Sequence, residues 1–311
     1  MRNTYHLCLS SHDEVLFRDE EDIIRGFNCI ALAAIKTESR FLADAEMATH
    51  FHLAAQSDNP DELMRRIRYP YTRYFNSKYH RTGKLAEDTA FITPLQGLQR
   101  TLTAISYICR QGLHHGLSTT PFGYPYCSAN AFFRKELGKG SPSFWHVSRP
   151  RGLSLPAHKK IPDNLRCQEN GMLVREDVID TGYVEELYVT PRNFMFHMNR
   201  FSNEAWMKEQ LEELPGLPAI NLEVMEPHPA DFDIKTLLIN EKGRVDPSKL
   251  SDLDLCSIID KEMVPRYSGR PEATIYDMSE SIRRKIADEV WHRFRTSGGV
   301  SISQIKRCLI L

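Results

Sequence analysis

His50 and His52 stand one residue apart in the run Met47-Ala48-Thr49-His50-Phe51-His52-Leu53. Alternate side chains of a β-strand share a face. Both imidazoles therefore project one way, about 7 Å apart along the strand, while Phe51 and Leu53 project the other way into a core. Two imidazoles on one face can converge on a single metal ion. The same pattern also describes two surface histidines on a half-exposed strand, and the pair alone does not choose between them.

Tyr107 and Gln111 form the second candidate group. Residues 95–111 read as a helix, in which Leu98, Leu102, Ile105 and Cys109 recur as one apolar stripe. At about 100° per residue, Tyr107 lies about 180° from Leu98 and Gln111 about 220°. The two therefore share the face opposite the stripe, as neighbours four residues apart. A phenol beside an amide oxygen suits a nucleophile next to a metal ligand. The plainer reading is a tyrosine at a packed helix edge with a solvated glutamine.

Residues 64–84 form the third group. They carry Arg65, Arg66, Arg68, Arg73, Lys78, Arg81 and Lys84 without one acid, interleaved with Tyr69, Tyr71, Tyr74, Phe75 and Tyr79. Cations can track the phosphates of a single-stranded nucleic acid while rings stack on its bases. An amphipathic helix with aromatic core residues and solvated arginines would look the same.

These groups need a scaffold. Residues 4–10 read as a strand and 19–35 as a helix with acids in its first turn. Strands follow at 40–46 and 49–56. Asn59-Pro60 opens a helix, Asn as cap and Pro at the first helical position, running to about Tyr79 with a kink expected at Pro70. Residues 81–84 make a turn, and the helix over 95–111 is ended by Gly112. This order predicts an α+β fold with an antiparallel sheet and packed helices. Residues 138–165, rich in Gly, Ser, Pro and Lys, read as a linker or long loop, and Asn170-Gly171 as a hairpin turn. Residues 166–245 are a mixed region whose role the sequence does not name. From 246 to 311 the chain turns mainly helical: 279–294 is a helix, Gly298-Gly299 a break, and a last helix from Ser301 or Ser303 carries Gln304, Lys306 and Arg307. That tail reads equally as a DNA-binding helix-turn-helix or an ordinary helical hairpin.

The 311 residues include 40 Lys and Arg against 41 Asp and Glu, a net charge of −1. Near-neutrality weighs against a nucleic-acid binder that is basic all over, so local distribution has to carry any such role. The seven cysteines are scattered, with no C-x-x-C pair, which fits a reducing cytosol. No apolar run approaches the ~18 residues of a membrane span, the N-terminus lacks a signal-peptide core, and no phosphate-binding loop for a nucleotide cofactor occurs.

Four stretches, in order, carry a family resemblance. They are Leu16-Phe17-x-Asp19-Glu20-x-Asp22; Met47-x-x-His50-Phe51-His52-Leu53; Tyr71-x-x-Tyr74-Phe75-Asn76-x-x-Tyr79-x-Arg81-x-Gly83-x-Leu85; and Tyr107-Ile108-x-x-Gln111, followed by Gly116, Pro121 and Tyr124-Pro125-Tyr126-x-Ser128. Over roughly residues 4–130 the chain resembles the REP-associated branch of the single-tyrosine HUH transposases. The resemblance implies a ferredoxin-like catalytic domain over residues 1–137, with Tyr107 as nucleophile and His50, His52 and Gln111 as ligands of Mg²⁺ or Mn²⁺. It implies a 5′-phosphotyrosine intermediate, single-stranded or hairpin DNA as partner, and a place at the cytoplasmic nucleoid. A homodimer, with Tyr107 serving its own or a partner's metal, is an arrangement the resemblance allows. Two departures stand out: Thr49 replaces the usual Asn before the first histidine, and Leu85-Ala86-Glu87-Asp88 replaces a more basic segment. A non-catalytic DNA-binding relative and a plain metal-dependent nuclease are the alternatives.

Overall fold

The computed structural model describes residues 2–11, 13–86, 90–140, 144–146, 164–200, 203–220, 225, 246, 248–297 and 299–311. The first elements are β1 (Asn3–Ser10), α1 (Glu20–Lys36), β2 (Arg40–Met47), β3 (His50–Ser57), α2 (Pro60–Tyr79) and β4 (Phe91–Pro94). The strands form one antiparallel sheet in the order β2-β3-β1-β4. This is the split β-α-β-β-α-β arrangement of ferredoxin-like folds. Met47 pairs with His50, so a two-residue turn at Ala48-Thr49 fixes the β2–β3 register and hence the face the histidines occupy.

Local chemistry explains the element boundaries. Asp19 caps α1 by accepting the Asp22 N–H at 2.9 Å, with Glu20, Glu21 and Asp22 in the first turn. Asn59 caps α2 by accepting the Glu62 N–H at 3.0 Å, and Pro60 takes the first turn. The helix continues through Pro70 to Tyr79, and His80 closes it in a left-handed conformation at φ 56°. Strand β4 has no counterpart in the sequence reading. It has four residues, none buried, and it is an edge strand, where Pro94 removes no needed donor.

The expected helix over 95–111 is corrected in three ways. The helix proper is α3 (Leu98–Cys109), and a separate turn, α4 (Gln111–His114), follows a break at Arg110 (φ −101°, ψ 7°). Leu98 is 42% exposed and lies outside the core. Gly112 does not end the helix but lies inside α4, where an added Cβ would sit 2.1 Å from Cβ of Tyr124. The start of α3 is capped from a distance: the Glu213 carboxylate accepts the N–H groups of Leu98 and Gln99 at 2.7 and 2.8 Å.

Most of the expected 138–165 linker lies outside the described residues. Within the described part, β5 (Phe144–His146) pairs with β6 (Arg166–Gln168). The expected turn at Asn170-Gly171 forms, with Gly171 at φ +89°, the Gln168 N–H donating to the Met172 carbonyl, and Asn170 Oδ1 accepting the Met172 N–H. Then come α5 (Arg175–Val178), α6 (Thr181–Tyr188), α7 (Pro191–Met198) and α8 (Asn203–Glu213). A buried apolar cluster extends from Leu7 to Met225 and takes in residues of the sheet, α1, α2, α3, α6 and α7.

A second cluster joins Val15 to side chains between Leu255 and Leu309. Most of them belong to helices over Asp252–Ile258, Val264–Ser268, Glu280–Phe294 and Ile302–Leu309 and a π-helical turn at Ile259–Met263. In the last helix Gln304 is buried, capping Ser301 and donating to the Leu250 carbonyl, and Arg307 is paired with Asp252. Two of the three polar residues expected at the tip of a DNA-reading helix are thus engaged within the protein.

Arg18 fastens the two clusters together. Fully buried, it donates from Nε and Nη2 to the Asp260 carboxylate, both at 2.9 Å, and from Nη1 to the Cys308 carbonyl at 3.0 Å. Nearby, the buried Asp22 carboxylate accepts from Lys78, Tyr74 and Tyr79 at 2.9, 3.0 and 2.7 Å. Burial, then repulsion from Asp19, pushes its pKa from 3.8 up to about 6 against the pull of Lys78. The native state therefore holds a proton over this window that the unfolded chain has lost. The group's contribution is fully present below about pH 4 and is lost as pH rises through about 6. Asp22→Asn is expected to remove this slope from the unfolding free energy plotted against pH. An unchanged slope in urea titrations across that window would contradict the assignment.

Candidate active site

Strand β3 presents His50 and His52 on one face with ring centroids 4.8 Å apart. Cys8 of β1 pairs directly opposite His52, which puts Cys8 and His6 on the same face. His6 was missed in the sequence. Its Nε2 lies 3.0 Å from Nδ1 of His52, and the rings stack at 5.1 Å with 24° between their planes. Thr49, the residue that departs from the family pattern, places its hydroxyl 3.0 Å from Nδ1 of His50. Each histidine of the pair thus has its Nδ1 engaged by a neighbour.

Helix α3 covers this face. Tyr107, in its last turn, sets its ring 5.3 Å from that of His52, within one chain. His114 lies 5.7 Å from Tyr107, His115 lies 5.1 Å from His114, and His50 lies 5.2 Å from His115. Tyr107, His114, His115, His50 and His52 therefore form a closed circuit of ring contacts. His114 and His115, both half-buried, are its outer members. Neither was singled out in the sequence, although His115 follows Gln111 by one helical turn and its N–H donates to the Gln111 carbonyl at 2.9 Å.

Tyr107 was expected on a polar face opposite a stripe. It is 2% exposed, and α3 is buried from Arg100 to Cys109. Tyr107 is turned onto His52 and His114, and the rest of the helix is covered by the region after residue 165. The Tyr188 hydroxyl lies 2.7 Å from that of Ser106, Gln210 donates to Thr103 at 3.2 Å, and Arg100 donates to the carbonyls of Leu217 and Pro218. Polar side chains of α3 that a lone helix would turn to water are satisfied by this cover.

Gln111 is 0% exposed, and among the described residues neither its amide oxygen nor its amide nitrogen has a hydrogen-bond partner. A buried amide without partners costs roughly 1–3 kcal/mol. Such a group in a native site calls for a water or an ion.

The basic run divides. Lys78 is held by Asp19, Glu21 and Asp22, and Arg81 by Glu14 and Asn76. Arg68 donates to the carbonyls of Leu85 and Ala86. These three serve the fold. Arg65 and Arg66 are exposed and paired with Glu62, Arg73 is exposed with its guanidinium 5.8 Å from the Tyr69 ring, and Lys84 is exposed. Tyr69 is 63% exposed, whereas Tyr71, Phe75 and Tyr79 are core residues. Arg65, Tyr69 and Arg73 recur every four residues and form one outward stripe. Glu87 and Asp88 of the departing segment lie outside the described residues.

This stripe is not on the histidine face. Asp44 and Glu46 of β2 pair opposite Leu53 and Phe51, on the other face of the sheet. Helix α1 packs there, with Phe27 6.2 Å from Phe41 and the Arg175 guanidinium 4.5 Å over the Phe27 ring, and α2 packs on α1. The basic stripe and the ring circuit are on opposite sides of the sheet.

Neither a protein-family model nor a curated protein sequence matches the chain. Among solved structures it is similar to a REP-associated tyrosine transposase bound to a REP hairpin, at 12% identity, covering 45% of this chain and 82% of that one with a TM-score of 0.35. That likeness is too distant to carry chemistry across.

Among the described residues no three His, Cys, Asp or Glu side chains are grouped to hold a metal. A divalent ion here would draw on an amide as well as imidazoles. The donor set fits: His50 and His52 as nitrogen donors, with the tautomer in which each Nδ1 carries the proton leaving the Nε2 lone pair as donor, and the unsatisfied Gln111 amide as an oxygen donor. Among the described residues no helix is long and apolar enough to cross a membrane.

Proposed function

We propose that the protein is a metal-dependent single-tyrosine DNA strand transferase, with Tyr107 as nucleophile and His50, His52 and Gln111 as metal ligands. Its substrate is single-stranded or hairpin DNA. What supports the reading is the contact of the Tyr107 ring with His52, together with a buried Gln111 amide that has no hydrogen-bond partner among the described residues.

The chemistry follows from those residues. Tyr107 attacks the phosphorus of a phosphodiester, the P–O bond to the 3′-oxygen breaks, and a free 3′-hydroxyl leaves. The DNA is then joined through its 5′-phosphate to the tyrosine. A phenol has a pKa near 10, so its proton must be taken up as the bond forms. Of the imidazoles in ring contact with Tyr107, His52 serves as a ligand, which leaves His114 to take that proton and return it to the departing 3′-oxygen. Bound Mg²⁺ or Mn²⁺ would polarise the phosphate and offset its developing charge, and a mixed imidazole and amide donor set favours Mn²⁺. The phosphotyrosine bond keeps the energy of the phosphodiester, so a second 3′-hydroxyl can reverse the step without a nucleotide cofactor.

Incubation with Mn²⁺ and a pool of randomised single-stranded oligonucleotides is the test. A protein–DNA adduct stable to denaturant is expected, lost on chelation and in His50→Ala. Free 5′ ends without an adduct would instead mark a nuclease. The near-complete burial of Tyr107 supports a second reading, a DNA-binding protein that does not cleave. Binding that ignores both metal and His50→Ala, with no adduct from any sequence, would establish it.

The outward stripe of α2, Arg65 and Arg73 with Tyr69 as a stacking ring, together with the exposed Arg66 and Lys84, is the candidate surface for DNA away from the cut, since it lies on the other side of the sheet from Tyr107. Each of Arg65→Ala and Arg73→Ala is expected to lower the slope of log affinity against log salt by about 1. Lys78→Ala is expected to act on stability instead. Slopes unchanged in both arginine variants would take DNA off this surface.

A further inference from the structure

We infer that His6 is a positioning residue that sets the tautomer of His52 and so prepares it to bind metal; this rests on the reading of His52 as a ligand. Both rings are fully buried, and Nε2 of His6 meets Nδ1 of His52 at 3.0 Å. The rings are nearly parallel at 5.1 Å, and the edge of Phe91 closes on His6 at 6.4 Å, so the imidazole is held between β4 and its partner.

One of two neutral imidazoles that share a hydrogen bond must donate and the other accept. When Nδ1–H of His52 donates, the lone pair of His52 resides on Nε2, the nitrogen a metal can use. When His6 donates instead, His52 carries its proton on Nε2 and has its Nδ1 lone pair already engaged, so neither nitrogen can ligate. The direction of this one hydrogen bond therefore decides whether His52 is a donor. Thr49 stands in the same relation to Nδ1 of His50. Loss of such an outer partner typically weakens metal affinity about 10–100-fold.

Two measurements test this on the full-length protein. In the metal-free protein, nitrogen NMR of histidine, assigned with His52→Gln, is expected to show His52 protonated on Nδ1 and not on Nε2. The opposite tautomer overturns the inference. Calorimetric titration with Mn²⁺ is expected to show affinity reduced about 10–100-fold in His6→Phe, which keeps a flat ring against His52, and reduced less in His6→Gln, whose amide oxygen can accept the same proton. Wild-type affinity in a folded His6→Phe overturns the inference alone. Absence of Mn²⁺ binding by the unaltered protein overturns the metal reading and this inference together. If His6→Phe fails to fold, the His52 tautomer in the unaltered protein still decides.

Discussion

Tyr107→Phe is expected to eliminate covalent capture of DNA, a loss of at least about 10⁴-fold in the rate of adduct formation, while leaving DNA affinity within about twofold. The phenol oxygen is the only part of the side chain that forms a bond. Phenylalanine keeps the ring that packs against His52 and His114, so the change separates chemistry from packing. The comparison is made by denaturing electrophoresis of labelled oligonucleotides, with binding measured in parallel by fluorescence anisotropy. An adduct that persists in the variant would assign the nucleophile elsewhere. A variant that loses binding in proportion would mean that Tyr107 serves the DNA surface and not the reaction.

The second large effect concerns stability. Arg175 lies 3.0 Å from carboxylate oxygens of both Asp44 and Glu46, and both acids are fully buried on β2. Ser128 adds hydrogen bonds to Asp44. Burial, and then the charge of Asp44, hold the Glu46 carboxyl well above its usual range, while Arg175 pulls it down. Removing this cation leaves two buried acids without their ion-pair partner, which costs about 3–5 kcal/mol. Arg175→Met, close in volume, is expected to lose that amount at neutral pH in urea titrations. The loss should shrink as pH falls. The raised Glu46 carboxyl binds a proton in the native state that the unfolded chain has lost, and without Arg175 to pull it down this is accentuated, so acidification stabilises the variant relative to the parent. A difference below about 1 kcal/mol at pH 7 would show that Arg175 contributes little to holding the later helices against the sheet.

Much of the scaffold was legible because its signals are local. The Asp19 and Asn59 caps, Pro60 and the alternation around Phe51 each act within a few residues, and the structure places α1, α2, β2 and β3 where those signals put them. What was not legible depends on pairing across the chain. His6 is unremarkable until β1 aligns beside β3, 46 residues on. Arg175 acquires its role only by reaching Glu46, 129 residues earlier. The polar face of α3 reads as solvent-exposed because the cover over Thr103 and Ser106 comes from residues past 165, while Tyr107 is turned onto His52 of the sheet and His114. In the basic run, composition could not tell Lys78 and Arg81, which neutralise buried acids, from Arg65 and Arg73, which face outward. His114 and His115 carried no spacing signal beyond the single turn that separates His115 from Gln111.

The most direct measurement is the site of attachment. The protein is incubated with Mn²⁺ and the randomised oligonucleotide pool, digested with nuclease and protease, and mapped by mass spectrometry. A nucleotide 5′-phosphate is expected on the peptide that contains Tyr107, attached to the phenol. A nucleotide on any other residue, or cleaved DNA with no modified peptide, would contradict Tyr107 as the nucleophile.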